Sequence, residues 1–202
     1  FDVSRTVIRE AVSRLKAEGM LSSRQGRGAF VASDRPRQGF AIPERDMESQ
    51  RKLEQILELR MGLEIEAAAI AAARATPEAC QEIQRAAAAY DQSNKIGGPA
   101  VASGVSADLA FHRAVCEATG NSYYLSLFNY LVASLRETML AGRLQALKRG
   151  GESRDAIQEH YDIAASIAQG DAERARQRMR DHLQMSSGRL LAQLKTENGL
   201  GE

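Results

Sequence analysis

The sequence predicts a mainly α protein: a small helix–hairpin head followed by an antiparallel helical bundle of six or seven helices. Three observations carry this reading. Alanine is abundant, with dense stretches at residues 67–73 and 86–89, and alanine favours helix. From residue 46 onward apolar residues recur at helical spacing. After residue 33 no segment alternates with the period of a strand. With 44% hydrophobic and 26% charged residues in a 202-residue chain, the composition is that of a globular protein rather than a disordered one. The longest apolar run, residues 67–73, falls far short of the roughly 20 residues that a spanning helix needs. No signal-peptide pattern opens the sequence. Cys80 and Cys116 lie far apart and form no CxxC, which argues against a disulfide scaffold or a cysteine-rich zinc site and leads us to expect a reducing cytoplasm. The chain opens at Phe1 inside what reads as a motif, so we expect a fragment lacking its natural N-terminus.

The elements follow in order. Ser4 is a good N-cap, Val7, Ile8, Ala11, Val12 and Leu15 follow at helical spacing, and Gly19 ends the run, so a helix is expected with its apolar stripe facing a module core. Two strand-like pieces at 20–24 and 29–32 flank Gln25-Gly26-Arg27-Gly28, whose glycines suit a tight turn. The head is assigned to residues 1–33. Residues 34–45, with Pro36, Gly39 and Pro43 and no periodicity, read as a linker. The body is assigned to 46–196 and a tail to 197–202. Its first helix spans about 46–74, with Leu53, Ile56, Leu57, Leu59, Leu63 and Ile70 on its apolar stripe. Thr76-Pro77 starts a second helix running to about Ser93. Gly97-Gly98-Pro99 breaks the chain, a third helix covers about 105–118, and Gly120 stops it. A long helix at about 122–147, open to a break near Gly142, precedes Gly150-Gly151. Two more cover about 153–168 and 171–195, the last capped by Asp171.

Charge is uneven. Residues 1–38 hold eight Lys/Arg and four acids, a balance of +4, which leaves −3 for the rest of a chain whose total is +1. A basic head on a mildly acidic body points to a polyanion partner for the head alone. Ser4, Arg5, Thr6 and Arg9 crowd the N-terminal end of the first helix. Arginine can grip guanine bidentately, and hydroxyls and helix N-termini bind phosphates. The hairpin tip could reach a neighbouring groove or the backbone. A solvated basic helix is an equally good account of the charge pattern alone.

The body carries all three histidines, His112, His160 and His182. Asp108 and His112 stand at i and i+4 and share a helix face. Three imidazoles and one carboxylate meeting from three helices would suit zinc or another borderline divalent metal. Spacing leaves open three unrelated histidines, because no compact motif ties the four together.

The run Val3-Ser4-Arg5-Thr6-Val7-Ile8-Arg9-Glu10-Ala11-Val12, then Glu18-Gly19-Met20-Leu21 and Gly26-Arg27-Gly28-Ala29-Phe30-Val31, closely resembles the last part of the winged helix-turn-helix of the GntR superfamily. That resemblance implies DNA contacts from Ser4, Arg5, Thr6 and Arg9, with the wing around Gln25, Gly26 and Arg27 as a second contact. It also implies a truncated winged domain. The body is similar to the FCD ligand-binding domain of FadR-type regulators over residues 50–195. The matching stretches are Leu57-Glu58-Leu59-Arg60, Asp108 with Phe111-His112, Ala118-Thr119-Gly120-Asn121, Glu159-His160, and Met179 with His182-Leu183. The resemblance implies a divalent metal, zinc or nickel, on Asp108, His112, His160 and His182. It implies a small carboxylate effector beside that metal, held by Arg60, which also interrupts the apolar stripe of its helix. Arg136 on the long helix is a weaker second candidate, and each stands against the alternative of a surface arginine paired with a helix neighbour, such as Glu64 at i+4 from Arg60. Asn121 reads as a structural cap. The expected protein is therefore not an enzyme but a cytoplasmic, homodimeric transcriptional regulator, more often a repressor, on a pseudo-palindromic operator. Two alternatives stand beside it: a metal-dependent hydrolase in a helical bundle, and a DNA-binding protein whose bundle only dimerises around a structural metal.

Overall fold

Ser4 begins the first helix as its chemistry requires: Val7 N–H donates to Ser4 Oγ at 3.3 Å, and α1 runs Arg5–Ala17. The computed structural model describes residues 3–17, 20–24, 28–32, 50–95, 100–148 and 154–195. The hairpin tip Gln25, Gly26 and Arg27, the linker 34–45, the tail 197–202 and both glycine-pair breaks lie outside the described residues. The chain divides into two units, Phe1–Ile42 and Pro43–Glu202.

In the first unit, β1 (Leu21–Arg24) pairs antiparallel with β2 (Gly28–Val31), in a register that sets Leu21 opposite Val31 and Arg24 opposite Gly28. The strands sit within a residue of those expected. The stripe of α1 is less covered than its pattern suggests. Val12 and Leu15 are half-buried, but Ile8 is 43% exposed and Ala11 is exposed. One helix and one hairpin, the elements described here, cover only part of such a stripe.

The second unit holds six helices among the described residues: α2 (Gln50–Arg74), α3 (Pro77–Lys95), α4 (Ala100–Ala118), α5 (Ser122–Lys148), α6 (Arg154–Ala168) and α7 (Ala172–Lys195). Short connections make sequence neighbours antiparallel. Thr76 Oγ1 accepts from Ala79 N–H at 3.3 Å before α3, Asn121 Oδ1 from Tyr123 N–H at 3.0 Å before α5, and Asp171 Oδ1 from Arg174 N–H at 3.0 Å before α7. Gly120 and Gly170, at φ of 68° and 71°, turn the chain after α4 and α6 in a conformation that side chains disfavour. Asn121 thus acts as a structural cap of α5. No described helix is long and apolar enough to cross a membrane.

Three boundary expectations change. The helix expected at 105 begins at Ala100, directly after Pro99, a residue that suits a helix start. The break near Gly142 does not occur: α5 is continuous for 27 residues, and burial of Gly142 within it replaces the lost propensity by packing. Leu59 is not on the buried stripe but 50% exposed. At about 100° per residue it falls roughly 120° from the centre of the face carrying Leu53, Ile56, Leu57, Arg60 and Glu64.

That face makes α2 the centre of the bundle. It packs on α4, α5, α6 and α7, while α3 closes over α4 and α6. Small Ala67, Ala68, Ala71 and Ala72 let the neighbours approach closely, and Phe111, Phe128, Ile163, Met179 and Leu183 fill the interior between helices. Cys116 is free and buried in this core, and burial pushes its thiol pKa up. Among the described residues seven polar side chains are buried as well, including Arg60, Glu64, His112, His160 and His182. Buried charge needs partners, and these side chains supply them to one another.

Candidate metal and effector site

The i, i+4 spacing on α4 puts Asp108 and His112 on one face; His160 enters from α6 and His182 from α7. One ligand atom from each of the four lies within 4.8 Å of all the others. His112 Nε2 faces His182 Nε2 at 3.1 Å, His160 Nε2 lies 3.3 Å from Asp108 Oδ1, and His112 Nε2 lies 4.0 Å from the same oxygen. The three histidines that spacing alone left unconnected are therefore neighbours, with Asp108 among them.

The other nitrogen of each ring decides what this cluster can hold. His182 Nδ1 donates to Glu159 Oε2 at 2.7 Å, and His160 Nδ1 to the Ala156 carbonyl at 2.6 Å. His112 Nδ1 lies against Glu64 Oε2; both atoms are buried and neither has another partner. An oxygen acceptor at Nδ1 requires the proton there, so each neutral ring turns its Nε2 lone pair toward the cluster centre. Burial, reinforced by His160 and His112 and opposed by Glu159, lowers the His182 pKa to about 4, which keeps that ring neutral at neutral pH. His160 Nε2 is buried without a hydrogen-bond donor. Lone pairs and a carboxylate converging in a buried place repel one another unless a cation lies between them. The residues present fit a divalent metal, with oxygen acceptors behind each imidazole fixing its orientation.

Two of those acceptors are carboxylates that spacing did not single out as part of a site. Glu64 is fully buried on α2, accepts from Arg60 Nε through Oε1, and meets His112 through Oε2. Burial alone would raise its pKa; the Arg60 guanidinium and His112 outweigh this and lower it to about 2. Glu159 is likewise pushed up by burial and brought down to about 2 by His182 and by Arg189, which grips it through both terminal nitrogens at 3.1 and 3.2 Å. The signal for Glu64 was its phase: four residues from Arg60 and seven from Leu57, on the buried stripe. Burial alone would raise the pKa of Asp108; the neighbouring His160, His112 and Arg60 outweigh it and hold the carboxyl well below the usual carboxylate range.

A cavity of about 220 Å³ opens beside the cluster, with Arg60, Asp108, His182, Tyr90, Arg143 and Arg189 in its wall. Tyr90 stacks on His160 with ring centroids 4.3 Å apart. Arg60 is 4% exposed; burial works against its charge, but Glu64 and Asp108 more than compensate and raise its pKa. Its Nη2 is buried without a partner. Arg136 is placed differently. It is exposed, donates to Ser106 Oγ at 3.3 Å, and is not among the residues that line the cavity; Arg143, two turns along the same helix, is. In the head, Ser4, Arg5, Thr6 and Arg9 are all exposed at the start of α1.

Comparison with known proteins places the chain in a family. Residues 55–185 match the FCD domain and residues 1–31 match the bacterial regulatory proteins of the gntR family. The chain is 30% identical over 185 residues to the HTH-type transcriptional regulator LutR of Bacillus subtilis (strain 168), covering 91% of this chain and 83% of that one. It is 29% identical over 191 residues to the Uxu operon transcriptional regulator of Escherichia coli (strain K12), covering 94% and 74%. E. coli McbR/YncC shares the fold at a TM-score of 0.64 and 19% identity, over 96% of this chain and 87% of that one. Streptococcus agalactiae GntR does so at 0.60 and 23%, over 93% and 83%. The hydrolase alternative finds no support in these matches, which are to transcriptional regulators rather than enzymes. A DNA-binding head of one family model, joined to a helical body that matches another over most of its length, makes this chain a member of the GntR family of transcriptional regulators, with an FCD domain as its body.

Proposed function

We infer that the protein is a repressor whose FCD body senses a small organic or sugar acid at a divalent metal, zinc or nickel. The observation that carries this is the set of three imidazoles whose Nδ1 atoms are each committed to an oxygen while their Nε2 atoms converge with Asp108. Asp108, His112, His160 and His182 would hold the metal, which supplies, when bound, open positions for a carboxylate and a neighbouring hydroxyl. Arg60 binds the same carboxylate through its unpartnered Nη2. Glu64 holds Arg60 in place and turns His112 at the same time, so the two binding elements share one support.

The head, assigned to residues 1–33, contacts operator DNA through Ser4, Arg5, Thr6 and Arg9, with Gln25, Gly26 and Arg27 as a second contact. Residues 34–45 join it to the sensing body at 46–196. A homodimer would match a pseudo-palindromic operator. The effector shifts the protein between DNA-competent and incompetent arrangements by its difference in affinity for the two.

The test is a thermal-shift titration of metal-stripped protein. Zinc at a hundredfold excess over its Kd adds about 2.7 kcal/mol, a rise of roughly 5–10 °C for a chain of this size. A panel of small hydroxy acids then adds a further rise only when zinc is present. Arg60→Gln removes the acid-dependent rise and keeps the zinc-dependent one. Acid effects indifferent to zinc, or equal losses of both rises in Arg60→Gln, contradict the assignment.

A further inference from the structure

Three arginines line the cavity: Arg60, Arg143 and Arg189. Two are matched by carboxylates, Arg60 by Glu64 and Arg189 by Glu159. Arg143 differs. It is half-buried on α5, donates to the side-chain oxygen of Asn94, and interacts with the Tyr90 phenol. Both partners are neutral: burial pushes the Tyr90 phenol up to about 12 even though Arg143 opposes the shift. Among the described residues no carboxylate is paired with Arg143. The second carboxylate of the cavity wall besides Asp108, Asp155, is exposed in the first turn of α6. A guanidinium does not lose its proton, so a half-buried one with neutral partners keeps a charge in the cavity wall that no carboxylate contacts directly among the described residues.

Two contacts place that charge relative to the imidazole cluster. Tyr90 stacks on His160 and also interacts with Arg143. A Cβ at Gly104 would lie 3.9 Å from Arg143 Nη2, and Gly104 sits one helical turn before Asp108 on α4. The guanidinium therefore stands roughly 5–6 Å along α4 from the aspartate. The wall also presents apolar surface from Leu57, Val105, Met139, Ala146 and Leu190. An acid with an anionic group at each end of a short hydrocarbon spacer, about four to six carbons in all at roughly 1.5 Å per bond, suits such a cavity.

We propose that Arg143 is the second anchor of the effector site and that it selects short dicarboxylic acids over monocarboxylic ones. This rests on the reading of the cavity as the effector site. One carboxylate goes to the metal and Arg60, the other to Arg143, with bidentate pairing available to both.

The experiment is calorimetric titration of the zinc-loaded full chain with acids matched in length and in their 2-hydroxy-acid end. The pairs are malate against 2-hydroxybutyrate, 2-hydroxyglutarate against 2-hydroxyvalerate, and 2-hydroxyadipate against 2-hydroxyhexanoate. In the wild type at least one diacid binds about 10-fold or more tighter than its partner. Arg143→Gln abolishes that preference while zinc stoichiometry and monoacid affinity stay unchanged, and Arg143→Lys restores part of it. A residue that merely supported α3 and α5 would weaken both members of a pair together. Equal binding within every pair in the wild type, or a diacid preference that survives Arg143→Gln, overturns the proposal whatever the stability of the variants. Zinc binding without any bound acid overturns the effector reading beneath it instead.

Discussion

Replacing Glu64 by alanine destabilises the chain by about 3–5 kcal/mol and weakens zinc binding by roughly 10–100-fold. The first figure follows from what the substitution leaves behind. Arg60 is 4% exposed and Glu64 fully buried, so removing the carboxylate strands a guanidinium in the core with its closest counter-charge gone. The second follows from His112, whose Nδ1 loses the oxygen that fixes its tautomer and orientation. Glu64→Gln keeps the shape but can offer only one oxygen, and it loses charge, so its stability loss falls between wild type and alanine. Urea unfolding of the metal-free proteins and calorimetric zinc titration separate the two effects. A Glu64→Ala protein with wild-type midpoint and zinc affinity would show that neither Arg60 nor His112 depends on this carboxylate.

The second large effect is expected at Asp108. Asp108→Asn abolishes the zinc-dependent rise in melting temperature, roughly 5–10 °C at a hundredfold excess, and it also lowers the stability of the metal-free protein, because the fold holds this carboxylate charged beside the buried Arg60. If Asp108 served the fold alone, neutralising it would destabilise the protein without metal and leave the zinc effect intact. If it serves a cation, the zinc-dependent rise is lost with it, in addition to the cost in the metal-free protein. The measurement is paired melting curves with and without zinc. A large loss in the metal-free state, with the zinc effect intact, would assign Asp108 to the fold rather than to a metal.

Local chemistry made most of the fold legible. The caps Ser4, Thr76, Asn121 and Asp171 and the stops Gly120 and Gly170 each act through neighbouring backbone, and each stands where its residue type suggested. Where expectation failed, packing decided. Gly142 is carried through a continuous helix by its buried surroundings, and Leu59 faces outward because its phase, not its hydrophobicity, sets its direction. Of the cluster, only Asp108 and His112 were joined by spacing. Bringing His160 and His182 to them took a resemblance to a family, since no local pattern crosses from α4 to α6 and α7. The partners behind the rings were harder still. Glu64 was visible only as an i+4 partner for Arg60, Glu159 only as the neighbour of His160 in sequence, and no spacing marked Arg143, which lines the cavity where Arg136 does not. An arginine's reach across a bundle depends on the rotation of its helix against others, and one chain's periodicity does not define that rotation.

In the proposed site three imidazoles, oriented from behind by Glu64, the Ala156 carbonyl and Glu159, present their Nε2 atoms with Asp108 to one divalent cation. X-ray absorption at the zinc edge of protein loaded with one equivalent reads this coordination. Three imidazole nitrogens at about 2.0–2.1 Å with oxygen completing the shell are expected, and loss of one nitrogen in His182→Ala. A spectrum of hydrated zinc with fewer than two imidazoles, unchanged in that variant, would contradict it.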